Sequence, residues 1–155
     1  MKIGIIGNGF VGSAVAHGFS EKNPLIYDIN PEASTHSFDE VANCKHLFIC
    51  LPTPMVSLTG GEANTTIVEE CFQKLSKNDE QVIILKSTVP VGTTKRLAEK
   101  HQIKNLVHCP EFLTAANAKH DYVNAERTVI GSPYYRSGVV EKYSKMAKKL
   151  FMDVF

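Results

Sequence analysis

Six consecutive residues, Gly7-Asn8-Gly9-Phe10-Val11-Gly12, form a GxGxxG element directly behind the apolar run Ile3–Ile6 and ahead of a stretch of helical period. In that setting Gly7 permits a tight turn, Gly9 lets the main chain approach a pyrophosphate, and Gly12 lets helix and strand pack closely. The helix that follows begins with free N–H groups and a partial positive charge, which together seat a phosphate. A second, independent mark is Asp28, sixteen residues past Gly12 at the end of the apolar run Leu25–Tyr27. A carboxylate there accepts hydrogen bonds from the hydroxyls of an adenosine ribose. A turn aspartate ahead of Asn30-Pro31 is the plainer alternative and accounts for less. The same charge repels a 2′-phosphate, and no Lys or Arg stands between Asp28 and Lys45 to clamp one. These residues therefore imply a dinucleotide site that takes NAD in preference to NADP, with Gly7, Asn8, Gly9, Phe10, Val11, Gly12 and Asp28 as its contacts.

Three later segments also end apolar runs: Leu51-Pro52-Thr53-Pro54, Lys86-Ser87-Thr88-Val89-Pro90-Val91-Gly92-Thr93-Thr94, and Pro110-Glu111-Phe112-Leu113. Pro52 and Pro54 stiffen a turn and remove two donors, which leaves the Thr53 hydroxyl and main chain available to a cofactor, with Ser87 and Thr88 opposite. Thr88 can orient water or a substrate hydroxyl, and Glu111 can take or give a proton in a partly dry site. A rigid loop and a helix N-cap are the alternatives for the first two segments. The four cysteines, Cys44, Cys50, Cys71 and Cys109, are too dispersed for a CxxC motif and read as reduced, mostly buried thiols. Cys109 beside Pro110-Glu111 reads as an inert strand-end thiol, since the sequence assigns it no cationic partner. The six histidines lack ligand spacing, so no metal site is expected.

Positioning these segments requires strands that end where they begin. The pattern predicts strands at Ile3–Ile6, Leu25–Tyr27, Leu47–Leu51, Val82–Leu85, Leu106–Cys109 and Thr128–Ile130, with a further strand at Phe151–Phe155. Helices are expected at Phe10–Ser20, Ile67–Leu75, Thr93–Lys100 and Val139–Leu150, with a short helical turn at Phe38–Ala42. Strands apolar on both faces, alternating with helices, specify a parallel sheet covered on both sides. The fold expected is a Rossmann-like doubly wound α/β domain, one domain over residues 1–155. In such a sheet every candidate segment lies at the carboxyl rim, where ligands bind.

Composition excludes other classes. Seventeen Lys and Arg against sixteen Asp and Glu leave a net charge of +1, so no overall field favours nucleic acid. The Lys-rich stretch from Glu141 to Lys149 reads as a solvated helix face. The longest apolar runs fall far short of the roughly 20 residues of a membrane helix, and the N-terminus lacks the apolar core of a signal peptide. A cytoplasmic protein is expected.

With Glu126-Arg127-Thr128-Val129-Ile130-Gly131, the segments above resemble, in order and spacing from Ile3 to Gly131, the NAD-binding domain of the UDP-glucose/GDP-mannose 6-dehydrogenase family. The resemblance implies an oxidoreductase in which NAD oxidises a nucleotide sugar's primary alcohol to the acid in two hydride steps, through a covalent adduct with a cysteine. It implies acid/base work for Glu111 and water-holding for Thr88. Two departures accompany it. The family usually carries a second glutamate four residues past the first, where this chain has Ala115. The chain also reaches Phe155 without the family's connecting helix and cysteine-bearing second domain. The expectation is therefore a cofactor-binding part that needs a partner domain for turnover on a UDP-sugar. The alternative is a stand-alone NAD-binding or regulatory module without chemistry of its own. The sugar and any self-association into a homo-oligomer stay open.

Overall fold

The computed structural model describes residues 2–57, 61–134 and 138–155. Strands β1 (Ile3–Ile6), β2 (Leu25–Tyr27), β3 (His46–Ile49), β4 (Val82–Leu85) and β5 (Leu106–His108) form one parallel sheet in the order β2-β1-β3-β4-β5. The chain crosses from β1 to β2 on one side and returns past β1 to β3 on the other. The rims of β1 and β3 therefore flank the point where the winding reverses, the crevice that binds ligands in open α/β sheets.

Both faces of the sheet are apolar because both are covered. Helices α1 (Phe10–Gly18), α5 (Ala118–Val123) and α6 (Gly138–Met152) pack on the face built by Ile5, Phe48, Ile84 and Val107. Helices α2 (Phe38–Ala42), α3 (Thr66–Lys74) and α4 (Thr93–Lys100) pack on the other, built by Ile6, Leu47, Ile83 and Leu106. Neighbours in sequence alternate between the faces because strand side chains repeat every two residues.

Two expectations need correction. Thr128–Ile130 joins no ladder; Gly131 alone bridges His108, by two 2.8 Å main-chain hydrogen bonds. Only Ile130 of that trio reaches the core, so β-propensity there has no surface to pack on. Phe151–Phe155 is not a strand. Helix α6 runs through Met152, and the Phe155 N–H donates to the Phe151 carbonyl at 2.9 Å. The helical spacing brings both Phe151 and Phe155 onto Phe19, with ring centroids 5.9 and 5.6 Å away; in a strand, rising about 3.3 Å per residue, the two would stand too far apart to share that ring. The segment after β5 is helical. It forms a 3₁₀ turn at Ala115–Asn117 and then α5, which buries Ala118 and Tyr122 against α1. The Asp121 carboxylate ties its start, accepting from the Thr114 N–H at 2.9 Å and the Thr114 hydroxyl at 2.8 Å.

Candidate functional site

The first end of the rim is built from main chain. Gly7 has φ +92°, in the left-handed region open to glycine, and a Cβ there would come 2.5 Å from the Cys50 carbonyl oxygen. At Gly12 a Cβ would run into the Gly7 carbonyl oxygen, so the turn and α1 close only around a hydrogen atom. Gly9 differs. Its φ is −70°, and no atom of the described residues lies within 4 Å of where its Cβ would stand. Neither backbone nor packing calls for glycine at Gly9, and the space beside it is open. Helix α1 begins there with no side-chain cap from the described residues, so its first-turn N–H groups remain free for an anion.

Asp28, at the end of β2, is locked against this loop. Its Oδ2 accepts from the Asn8 N–H at 2.7 Å and its Oδ1 from the Asn30 N–H at 2.9 Å. The Asn8 amide in turn donates to the Ala33 carbonyl at 2.8 Å. Each carboxylate oxygen keeps a free lone pair, as a ribose diol requires. Phe10 is exposed on the helix and Val11 packs inward on the core. The residues present fit a dinucleotide: an open glycine, a bare helix N-terminus and a held carboxylate in sequence along the rim.

The loops after β3 and β4 are latched together. The Leu51 N–H donates to Ser87 Oγ at 2.9 Å, and Thr53 Oγ1 donates to the Thr88 carbonyl at 2.6 Å. Ser87 is buried, so its hydroxyl serves the fold more than a ligand, and the Thr53 hydroxyl proton is not free as expected from sequence. The Thr88 side chain is exposed at the rim, and Pro52 and Pro54 hold the turn beside it.

The far end of the rim holds a cluster that sequence reasoning missed. Lys86 is 3% exposed, and its Nζ lies 2.5 Å from Glu111 Oε2, 3.6 Å from Cys109 Sγ and 5.4 Å from the centre of the Tyr122 ring. The period-two rule contains the missing signal: Phe48 and Cys50, Ile84 and Lys86, Val107 and Cys109 share parity, so all three chains deliver those second residues to the α1/α5 face. Tyr122 then arrives from α5, and its hydroxyl is buried without a hydrogen-bond partner among the described residues. Cys109 does have a cationic neighbour, contrary to the expectation, yet burial outweighs Lys86 and pushes its thiol up. Full burial pushes Cys50 up to about 12. Both sulfurs stay protonated and are poor nucleophiles at neutral pH. Lys86, Glu111 and Tyr122 wall a cleft of about 610 Å³ that also meets Phe112, Arg127 and Phe151. Among the described residues no three His, Cys, Asp or Glu side chains gather as a metal site. Among them, too, no helix is long and apolar enough to cross a membrane.

Comparison with known proteins agrees with this layout. Residues 28–153 match the profile of the UDP-glucose/GDP-mannose dehydrogenase family, NAD binding domain. UDP-glucose 6-dehydrogenase TuaD of Bacillus subtilis is 37% identical over 103 residues, covering 61% of this chain and 22% of that protein. An uncharacterized protein of Methanocaldococcus jannaschii is 29% identical over 168 residues, 84% of this chain and 18% of its own length. The chain thus spans about a fifth of the curated relatives it matches. Among solved structures, a UDP-glucose dehydrogenase from the archaeon Pyrobaculum islandicum superposes with a TM-score of 0.80 at 23% identity, over 99% of this chain and 44% of that one.

Proposed function

The chain belongs to the UDP-glucose/GDP-mannose dehydrogenase family as its NAD-binding domain, and we propose that it supplies the cofactor half of a site that oxidises a nucleotide sugar's primary alcohol to the acid. The observation that carries this reading is the run along one rim: Gly9 with open space beside it, Asp28 held at one end and Glu111 at the other. Bound NAD supplies the hydride acceptor.

The residues of this chain then have distinct tasks. Gly7 and Gly12 shape the loop, Gly9 and the N–H groups of Phe10, Val11 and Gly12 receive the pyrophosphate, and Asp28, oriented by Asn8, receives the adenosine ribose. Pro52, Thr53, Ser87 and Thr88 form the wall across the crevice, with Thr88 turned outward to hold water. Glu111 is the acid/base carboxylate at the cleft wall. The substrate pocket is completed by a partner domain, so residues 1–155 act as one cofactor domain, in the cytoplasm where NAD and nucleotide sugars are supplied. Ala115 favours a second reading, an NAD-binding module without turnover, because a carboxylate usual in the family is missing from its 3₁₀ turn.

Calorimetric titration with NAD and NADP tests the first step. NAD should bind more tightly, and Asp28→Ala should weaken it by about 1 to 3 kcal/mol, the loss of a charged hydrogen-bonding partner. Equal or tighter NADP binding would overturn the assignment. The purified chain alone should give no steady NADH from UDP-glucose, while addition of a relative's cysteine-bearing domain should. Steady turnover without that domain would refute the half-site reading, and none with it would favour the module.

A further inference from the structure

Lys86 stands where the packing pattern asks for an apolar side chain. Val82 and Ile84, the preceding residues of the same parity, are fully buried on the α1/α5/α6 face, and Lys86 continues that row. Sheet register fixes it there: the Lys86 N–H donates to the Ile49 carbonyl at 2.8 Å, and the Cys109 N–H to the Leu85 carbonyl at 2.9 Å. The residue is therefore fixed by its main chain, and its ammonium is held by Glu111, Cys109 and the Tyr122 ring around it. A buried ammonium persists only with such partners. Glu111 in turn has one oxygen against Lys86 and the other accepting from the Phe112 N–H at 3.1 Å, which leaves its carboxyl with little rotational freedom.

We propose that Lys86 is the positioning residue of Glu111, fixing that carboxylate and balancing its charge at the nicotinamide end of the rim. The inference rests on the cofactor reading above. With the adenosine at Asp28 and the pyrophosphate at Gly9, a dinucleotide would bring its nicotinamide past the rims of β3 and β4 toward Glu111. The oxidised ring is cationic and the reduced ring neutral. A lone carboxylate nearby would hold the oxidised form preferentially and resist hydride delivery to it, since product is then the weaker ligand. The Lys86 ammonium offsets that bias while keeping Glu111 aimed at the cleft.

The test is the ratio of NAD⁺ to NADH affinity, with ADP-ribose as a probe of the adenosine half alone. Lys86→Met should shift the ratio toward NAD⁺ by about three- to tenfold, the scale of one unit charge acting over several ångströms through water-like, high-dielectric surroundings. Glu111→Gln should shift it the opposite way. The double variant and Lys86→Arg, which keep the charge balanced, should return it to the wild-type value, and both can be measured even where Lys86→Met fails to fold. ADP-ribose affinity should be unchanged throughout. A purely structural role would weaken all three ligands together, and that result overturns the proposal, as does an unchanged ratio in Glu111→Gln and in folded Lys86→Met. Failure of ADP-ribose to bind the wild-type chain would overturn the cofactor reading itself, and this inference with it.

Discussion

The two ends of the rim are built on opposite principles. At the β1–β2 end the working groups are main-chain N–H groups, a left-handed glycine and an open glycine, all within the loop from Gly7 to Gly12, with one carboxylate brought alongside. At the β4–β5 end they are charged and polar side chains from three separated segments, buried together beneath α5. The first end is kept open to water and prepared for a ligand's charge, whereas the second balances its own charge internally. A fold can thus carry a recognition site at low electrostatic cost where main chain does the binding. It must supply a counter-ion where a side-chain carboxylate has to be held out of water.

The contrast is broken most directly at Lys86. Lys86→Met should lower stability by about 3 to 5 kcal/mol, because it leaves the Glu111 carboxylate, 12% exposed, without its partner. The double variant with Glu111→Gln should recover most of that loss. Urea unfolding of the four proteins closes the cycle, and additive losses would show the pair to be uncoupled. A smaller effect is expected at the other end, where Gly12→Ala should destabilise by about 3 kcal/mol through the clash with the Gly7 carbonyl. Gly9→Ala should leave stability within about 0.5 kcal/mol, as no described residue crowds that position, yet still weaken NAD. If both alanines acted alike in thermal melts, the distinction between a packing glycine and a ligand-facing glycine would fail.

A small, pH-dependent effect belongs to an exposed counterpart of the buried pair. Glu69 on α3 meets Arg96 at 2.7 Å and Lys100 at 3.0 Å on α4, with both cations about half exposed. The Arg96 guanidinium, then the Lys100 ammonium, hold the Glu69 carboxyl down at about 2. A lowered carboxyl stabilises the fold above its unfolded value and loses that contribution as pH falls, so the advantage of wild type over Glu69→Gln should fade between about 4.5 and 2. Solvent screening keeps it under about 1 kcal/mol at neutral pH. A melting-temperature difference that stayed undiminished down to pH 2 would exclude the carboxylate as its source.

By itself the sequence determined whatever depends on local periodicity and on residues close along the chain. The β-strands apolar on both faces required a parallel, doubly covered sheet, and Gly7, Gly9 and Gly12 behind β1 carried their own turn, helix start and open space, because backbone conformation is a short-range property. Asp28 was legible for the same reason: the end of β2 is a fixed place relative to the end of β1. Tertiary structure alone decided the rest. Phe151 and Phe155 chose the helix because both rings found Phe19, Thr128–Ile130 lost its ladder for want of a packing surface, and the Thr53 and Ser87 hydroxyls were taken by neighbouring loops. Lys86, Cys109, Glu111 and Tyr122 became one cluster only when β4, β5 and α5 were laid side by side. Charge pairing acts through space, over ångströms that the order of residues along a chain does not specify.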